Sequence, residues 1–259
     1  QVKSSRWTPE WDRIRSLFQD QHGQVWIGSY GGVIISNFRG GGQLLLDESS
    51  ETGLGRVYGF AEDPAGTKVW LGSWNGVTSF NQETGELEDL EGKEQLIGLQ
   101  IRHLFVDGQT LYISTENMGL AIFEQGKVRF LNASNGLLDN SVYTVFKEAT
   151  SDRVWIGTHS GLSIWNVNTN QLTNLTKANG LQSNFVYGIL GHGNSMWVST
   201  ARGIAKINRG DLEITSFDPT EGWQSAEFSQ GASYKSATGQ LYFGGVNGLN
   251  SFHPNDLEQ

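Results

Sequence analysis

Apolar residues in this chain gather in short runs, and turns rich in Gly, Asn and Asp separate the runs. Runs of four to eight residues joined by such turns mark strands of an antiparallel meander. The 3.6-residue period of an amphipathic helix is not visible. The most regular unit is an aromatic, an apolar residue, two small residues, a variable pair, then Gly and an apolar residue. It reads WIGSYGGV from Trp26, WLGSWNGV from Trp70, WIGTHSGL from Trp155, WVSTARGI from Trp197 and YFGGVNGL from Tyr242. The copy from Tyr112, YISTENMGL, carries one extra residue. Successive anchor aromatics stand 44, 42, 43, 42 and 45 residues apart, so the chain is an internal repeat.

The same pieces surround each anchor. Upstream lies an apolar strand: IRSLFQD (14–20), VYGFAED (57–63), IRHLFVD (101–107), VYTVFKE (142–148) and VYGILGH (186–192). The sixth copy, from Phe228, lacks a clear inner strand. A polar turn, the anchor strand, a third strand such as LSIWNV (162–167) and a more polar fourth such as QLTNLT (171–176) or KVRFLN (127–132) complete the unit. A four-stranded antiparallel meander cannot bury both of its faces alone, whereas sheets stacked side by side bury each other. The expected fold is therefore all-β, a β-propeller of four-stranded antiparallel blades with six visible repeats, forming a single domain over 1–259. The anchor aromatics are expected between adjacent blades. Residues 1–7 leave two closures open: they are the tail of a missing seventh blade, or the outer strand completing the blade begun at Phe228.

Composition narrows the function classes. A formal charge of −9 and a pI of about 5.0 argue against nucleic-acid binding, which needs a basic stripe. No apolar run approaches the roughly 18 residues of a membrane span, and the first residues lack the order of a signal peptide. With no cysteine, disulfide frameworks, thiolate metal sites and cysteine nucleophiles drop out. The five histidines are scattered, so no metal centre and no cofactor are expected.

The acid-terminated apolar strand, the W-[IVL]-G-[ST]-x-x-G-[LV] strand-turn, and the connectors NGLLDNSVY (135–143) and NGLQSNFVY (179–187) resemble the propeller repeats of two-component regulators. The segment GQLYFGGVNGLNSFHPNDL (239–257) is similar to the last propeller repeat of that family. The resemblance covers essentially the whole chain. It implies the periplasmic sensor region of a hybrid histidine kinase or diguanylate cyclase, with kinase or cyclase activity outside this chain. It also implies a small-molecule or oligosaccharide ligand and a homodimer formed through the full-length receptor, with no membrane contact by this segment. Family propellers commonly have seven blades; six units are visible here.

Two sets of positions vary inside the fixed frame. One is the hairpin pair: Tyr30–Gly31, Trp74–Asn75, Glu116–Asn117–Met118, His159–Ser160, Ala201–Arg202 and Val246–Asn247. The other is the second residue of the inner strand: Arg15, Tyr58, Arg102, Tyr143, Tyr187 and Ser229. Arg grips carboxylates or sulfates, and Tyr and Trp offer flat faces to sugar rings. The candidate ligand-binding residues are therefore Arg15, Tyr30, Tyr58, Trp74, Arg102, Glu116, Tyr143, His159, Tyr187 and Arg202. The alternative is that these side chains only fill the mouth of the channel and pair with Glu116, Asp139 or Glu227. The same three carboxylates are the candidates for acid–base chemistry, which leaves a lyase or hydrolase as a second function and a protein-interaction platform as a third. No G-x-S-x-G elbow or phosphate loop is present, and Trp11-Asp12 lies off the blade position of a WD repeat.

Overall fold

A computed structural model of the chain describes residues 13–38, 42–47, 54–90, 92–217 and 227–257. The segment 1–7 and the Trp11-Asp12 pair lie outside the described residues. Two compact units divide the chain, Gln1–Phe130 and Leu131–Gln259. The described residues form six antiparallel sheets of propeller-blade type, all-β apart from short 3-10 turns.

In the first unit, one sheet comprises β1 (Ile14–Gln19), β2 (Val25–Ser29), β3 (Gly32–Phe38) and β4 (Gly42–Asp47). The second comprises β5 (Val57–Glu62), β6 (Lys68–Ser73), β7 (Gly76–Asn81) and β8 (Glu86–Glu88). The third comprises β9 (Ile101–Asp107), β10 (Thr110–Thr115), β11 (Leu120–Glu124) and β12 (Lys127–Leu131). In the second unit the sheets are β13 (Val142–Lys147) to β16 (Leu172–Leu175) through β14 (Arg153–Thr158) and β15 (Leu162–Asn166), then β17 (Val186–His192) to β20 (Ile214–Phe217) through β18 (Ser195–Thr200) and β19 (Gly203–Asn208). The last sheet holds β21 (Phe228–Lys235), β22 (Leu241–Gly245) and β23 (Gly248–Phe252). Strands are ordered sequentially in every sheet.

The sixth repeat does have an inner strand, β21, contrary to the sequence reading. Its pairing with β22 jumps from Phe228 to Ser233. That long bulge, with Gly231 at φ 73°, fills the strand with Ser229, Gln230, Gly231 and Ala232, so it lacks the apolar run by which the other inner strands are recognised.

Anchor aromatics sit where stacked sheets need bulk. Trp26 packs on Phe60 of the neighbouring sheet and edge-on to Phe80, with ring centroids 6.0 and 5.2 Å apart. Its indole N–H donates to the buried Asp20 carboxylate at 2.8 Å, and Trp155 donates likewise to Glu148 at 2.6 Å. In these two sheets the acid ending the inner strand is thus the partner of the anchor indole. The outward face of the first sheet is different: Ile14 and Leu17 are 53% and 69% exposed, where their counterparts Val57 and Leu104 are buried against a preceding sheet. At the last sheet Leu249 is likewise exposed where Leu162 and Ile204 are buried.

The Ser/Thr of the strand-turn closes each hairpin. Thr158 donates its hydroxyl to the Gly161 carbonyl at 2.8 Å and accepts the Ser160 N–H at 3.1 Å. Ser29, Ser73, Thr115 and Thr200 make the same two bonds. The following glycine takes φ 144° at Gly161, a conformation that disfavours any side chain. The two variable residues are therefore held in a fixed turn. We expect Thr158→Val, which keeps the shape and removes the hydroxyl, to cost about 1–2 kcal/mol. Thermal unfolding followed by circular dichroism should show a loss of a few degrees.

The NGL connectors close in the same local way. Asn132 and Thr176 cap one-turn 3-10 segments, and Gly136 and Gly180 end them in left-handed conformation. Asn140 and Asn184 then accept the Ala133 and Lys177 N–H groups at 2.8 and 2.9 Å. Leu137 and Leu181 are buried directly after the turns.

Candidate functional site

The inner-strand candidates share one backbone feature. Pairing shifts register between Ile14 and Ser16, Val57 and Gly59, Ile101 and His103, Val142 and Thr144, and Val186 and Gly188. The residue skipped is Arg15, Tyr58, Arg102, Tyr143 or Tyr187. Each is thus the extra residue of a β-bulge, a device that re-aims a side chain out of the sheet pattern.

A second backbone contact brings in residues that sequence reasoning missed. The N–H of the first hairpin residue donates to the carbonyl just before the inner strand: Tyr30 to Arg13, Trp74 to Arg56, Glu116 to Gln100, His159 to Ser141, Ala201 to Phe185 and Val246 to Glu227. Every sheet thereby presents three adjacent positions: pre-strand, bulge and hairpin. Pre-strand and bulge residues are always two apart, as in Arg13/Arg15 and Arg56/Tyr58, and that offset was available in the repeat alignment.

In the first unit these positions assemble a layered cluster. Arg56 packs on two rings, its guanidinium carbon 4.4 Å from the centroids of both Tyr30 and Trp74. Trp74 stacks on Tyr58 with the planes 6° apart and centroids 5.7 Å apart. Arg15 lies over Tyr30 at 4.6 Å and donates to its hydroxyl at 2.8 Å, while Arg13 approaches the same ring at 5.4 Å. The Tyr58 hydroxyl donates to that of Tyr30 at 3.4 Å. Burial, with that hydrogen bond, pushes the Tyr58 phenol up to about 12. The same bond, with the Arg15 and Arg56 charges, lowers Tyr30 against the opposing effect of burial. Tyr30, Arg56, Tyr58 and Trp74 are all half-buried. Arg102 is bound to Glu116 in an ion pair, so for these two the internal pairing foreseen as the alternative is what occurs.

The second unit brings together Tyr143, His159 and Tyr187, with Phe185 added from the pre-strand position. Tyr143 shares a hydrogen bond with His159 Nδ1 at 3.2 Å and meets Tyr187 edge-on at 5.3 Å; His159 and Phe185 lie 4.3 Å apart. Asp139 accepts the Ser160 hydroxyl at 2.6 Å and the Ser141 N–H at 2.8 Å. Burial opposes ionisation there, but those bonds and the His159 charge hold its carboxyl below the usual range. Arg202 is exposed; its N–H donates to Thr200 and its side chain joins no ring of this group. His192 and His253 approach edge-on at 5.3 Å, an encounter the sequence did not indicate. Among the described residues, no three His, Asp or Glu side chains gather as a metal would require.

At the opposite end of the first unit's strands, a cavity of about 560 Å³ is lined by Lys68, Trp70, Val106, Leu111 and Phe123 with the adjoining turns. It is apolar and mostly turn-walled, without the convergent donors of the layered cluster.

Residues 10–31, about one strand pair of the repeat, match the family described as Two component regulator propeller. The resemblance read from the repeat is thereby supported from a second direction. Among proteins, the chain is 27% identical to Histidine kinase P4 of Formosa agariphila, over 95% of this chain and 19% of that protein. Among solved structures, it is similar to the extracellular domain of BT4673 from B. thetaiotaomicron, described both as a hybrid two component and as a one component system. That likeness has a TM-score of 0.76 at 21% identity and covers 93% of this chain and 32% of the other. Virginiamycin B lyase from Staphylococcus aureus is similar at TM-score 0.70 and 14% identity, covering 94% of this chain and 80% of the other. At these identities the structural likeness is one of fold. The chain spans a fifth to a third of the first two relatives, and among its described residues no helix is long and apolar enough to cross a membrane.

Proposed function

We propose that this chain is a non-enzymatic, ligand-sensing propeller segment of a periplasmic receptor of two-component type, and that it recognises an oligosaccharide or related small solute. The observation that carries the reading is the half-buried layer of Tyr30, Arg56, Trp74 and Tyr58. Rigid turns and bulges position its members, so little conformational freedom is lost when a ligand docks. Two relatives with sensor architecture, the kinase and the extracellular domain, support the sensing role. Against turnover, Glu116 is tied to Arg102, and Asp139 is held ionised by its hydrogen bonds. Asp139 is thus not placed to donate a proton near neutral pH. A ligand acts on a receptor only through unequal affinity for two arrangements, and the arrangements concerned would involve parts of the receptor beyond this segment.

The test is a thermal-shift screen of the full chain against neutral and acidic oligosaccharides. At least one should raise the midpoint, since ligand bound to the native state stabilises it by mass action. Trp74→Ala should cut affinity about thirtyfold, the effect of losing an aromatic anchor of about 2 kcal/mol. A panel with no stabilising member, or a hit indifferent to Trp74→Ala, would contradict the proposal. Incubated oligosaccharides analysed by mass should keep their lengths, and cleavage products would favour the lyase or hydrolase reading.

A further inference from the structure

Resting on that reading, we infer that the ligand carries an acid group, a carboxylate or sulfate on a sugar ring, and that Arg56 is the residue that selects it. Four guanidiniums, those of Arg13, Arg15, Arg56 and Arg102, meet the rings of Tyr30, Tyr58 and Trp74 within 6 Å. This concentration of positive charge stands in a chain of net charge −9, so diffuse attraction of anions to the whole molecule does not account for it. The four are not equivalent. Arg102 is neutralised by Glu116, and Arg15 spends a donor on the Tyr30 hydroxyl.

Arg56 is different in kind. Its guanidinium carbon stands over two aromatic rings at once, 4.4 Å from each centroid, and these contacts restrict where the group can lie. Its N–H donors lie in the guanidinium plane, and none has an acceptor among the described residues. A half-buried planar cation held in this way, with no acceptor among the described residues, is suited to two parallel hydrogen bonds to a carboxylate or sulfate. The indole N–H of Trp74, in the same layer, is buried and also lacks an acceptor among the described residues. A buried donor without a partner is costly, and a ligand oxygen would relieve that of Trp74. Position 56 is thus a specificity determinant, while Tyr58 and Trp74 supply the surface on which a sugar ring rests.

The experiment is titration calorimetry of the full chain with di- and trisaccharides of galacturonate, glucuronate and mannuronate, and with a monosulfated galactose disaccharide that carries no carboxylate. The carboxyl-reduced or desulfated neutral counterparts and inorganic sulfate serve as comparisons. An acidic member should bind at least about tenfold tighter than its neutral counterpart, the worth of a charge-assisted pair, and its affinity should fall with salt. Whether the uronates or the sulfated disaccharide lead distinguishes the two acid groups. Arg56→Gln should reduce the acid-over-neutral ratio to about two or less. Arg56→Lys, which keeps the charge without the planar fork, should retain part of it; unchanged thermal midpoints confirm that both variants fold. Equal or tighter binding of neutral counterparts, or a ratio undiminished in both variants, would overturn the inference while leaving the sensing proposal standing. Inorganic sulfate binding as tightly as the acidic sugars would overturn it too. Binding of no saccharide, acidic or neutral, would defeat the sensing proposal itself.

Discussion

Replacing Trp155 by Ala is expected to cost about 3–5 kcal/mol, the largest effect of any single substitution considered. Trp155 is fully buried in the core shared by the two sheets β13–β16 and β17–β20, alongside Val186, Ile189 and Val198. Truncation opens a cavity there and also strips Glu148 of its indole donor. That carboxylate is 2% exposed and is held by Trp155, the Ser151 hydroxyl at 2.6 Å and Arg153 at 3.2 Å. At about 2–4 °C per kcal/mol for a chain of this size, the midpoint should drop by about 10 °C or more. Trp155→Phe separates the two contributions, because it keeps most of the volume and loses the N–H. Burial pushes the Glu148 carboxyl up, but the hydrogen bonds from Ser151 and Trp155 and the charges of Arg153 and Arg209 outweigh it and hold it below its ordinary 4.5. A depressed folded value means that the ionised carboxylate stabilises the fold above pH 4.5, and that this contribution is lost as pH falls through the folded value. The deficit of Trp155→Phe should therefore be largest near neutral pH and shrink in acid. A pH-independent deficit would assign the loss to packing alone.

Gly157→Val should be nearly as damaging, for the opposite reason. A Cβ at position 157 would stand 2.6 Å from Thr144 Cγ2, 2.7 Å from Val186 Cγ1 and 3.0 Å from the Val186 carbonyl. The glycine after the anchor dipeptide is what lets the next sheet's inner strand come this close. Gly28 faces the Val57 carbonyl in the same manner, at 2.7 Å. Two of the neighbours of position 157 are stiff β-branched side chains and the third is backbone, so little relief is open to them and a loss of about 3 kcal/mol is expected, measurable by denaturant unfolding. The sheets with Ser114 and Ser199 at this position show that one small side chain can be accommodated, though both hydroxyls are buried without a partner among the described residues. Gly157→Ser should accordingly lose less than Gly157→Val. Equal losses would mean that the backbone contact, not side-chain volume, sets the limit.

The fold was legible because each repeat carries the same short apolar runs and the same anchor frame at near-constant spacing, and because the Ser/Thr and Gly of the hairpin are demanded by hydrogen bonds that recur in five sheets. The site was legible only in part. Tyr30, Tyr58 and Trp74 stood out as large residues varying inside a constant frame. Arg13 and Arg56 did not, since they precede the inner strands, where the apolar run has not yet begun and the Tyr30 and Trp74 N–H bonds bring them to the hairpins. The pairing of Arg102 with Glu116 was foreseen as one of two alternatives, but sequence has no way to weigh an internal ion pair against a free cation. The inner strand of the sixth repeat escaped because a long bulge over residues 229–232 is made of small and polar residues and removes the apolar run seen in the others.

Hydrogen–deuterium exchange of the full chain, with and without a saturating oligosaccharide that raises its thermal midpoint, tests the central claim most directly. The account predicts protection at the Tyr30–Gly31 and Trp74–Asn75 hairpins and around Arg56–Tyr58. Protection confined to the turns at 63–67 and 108–110, beside the apolar cavity at the other end of the strands, would contradict it.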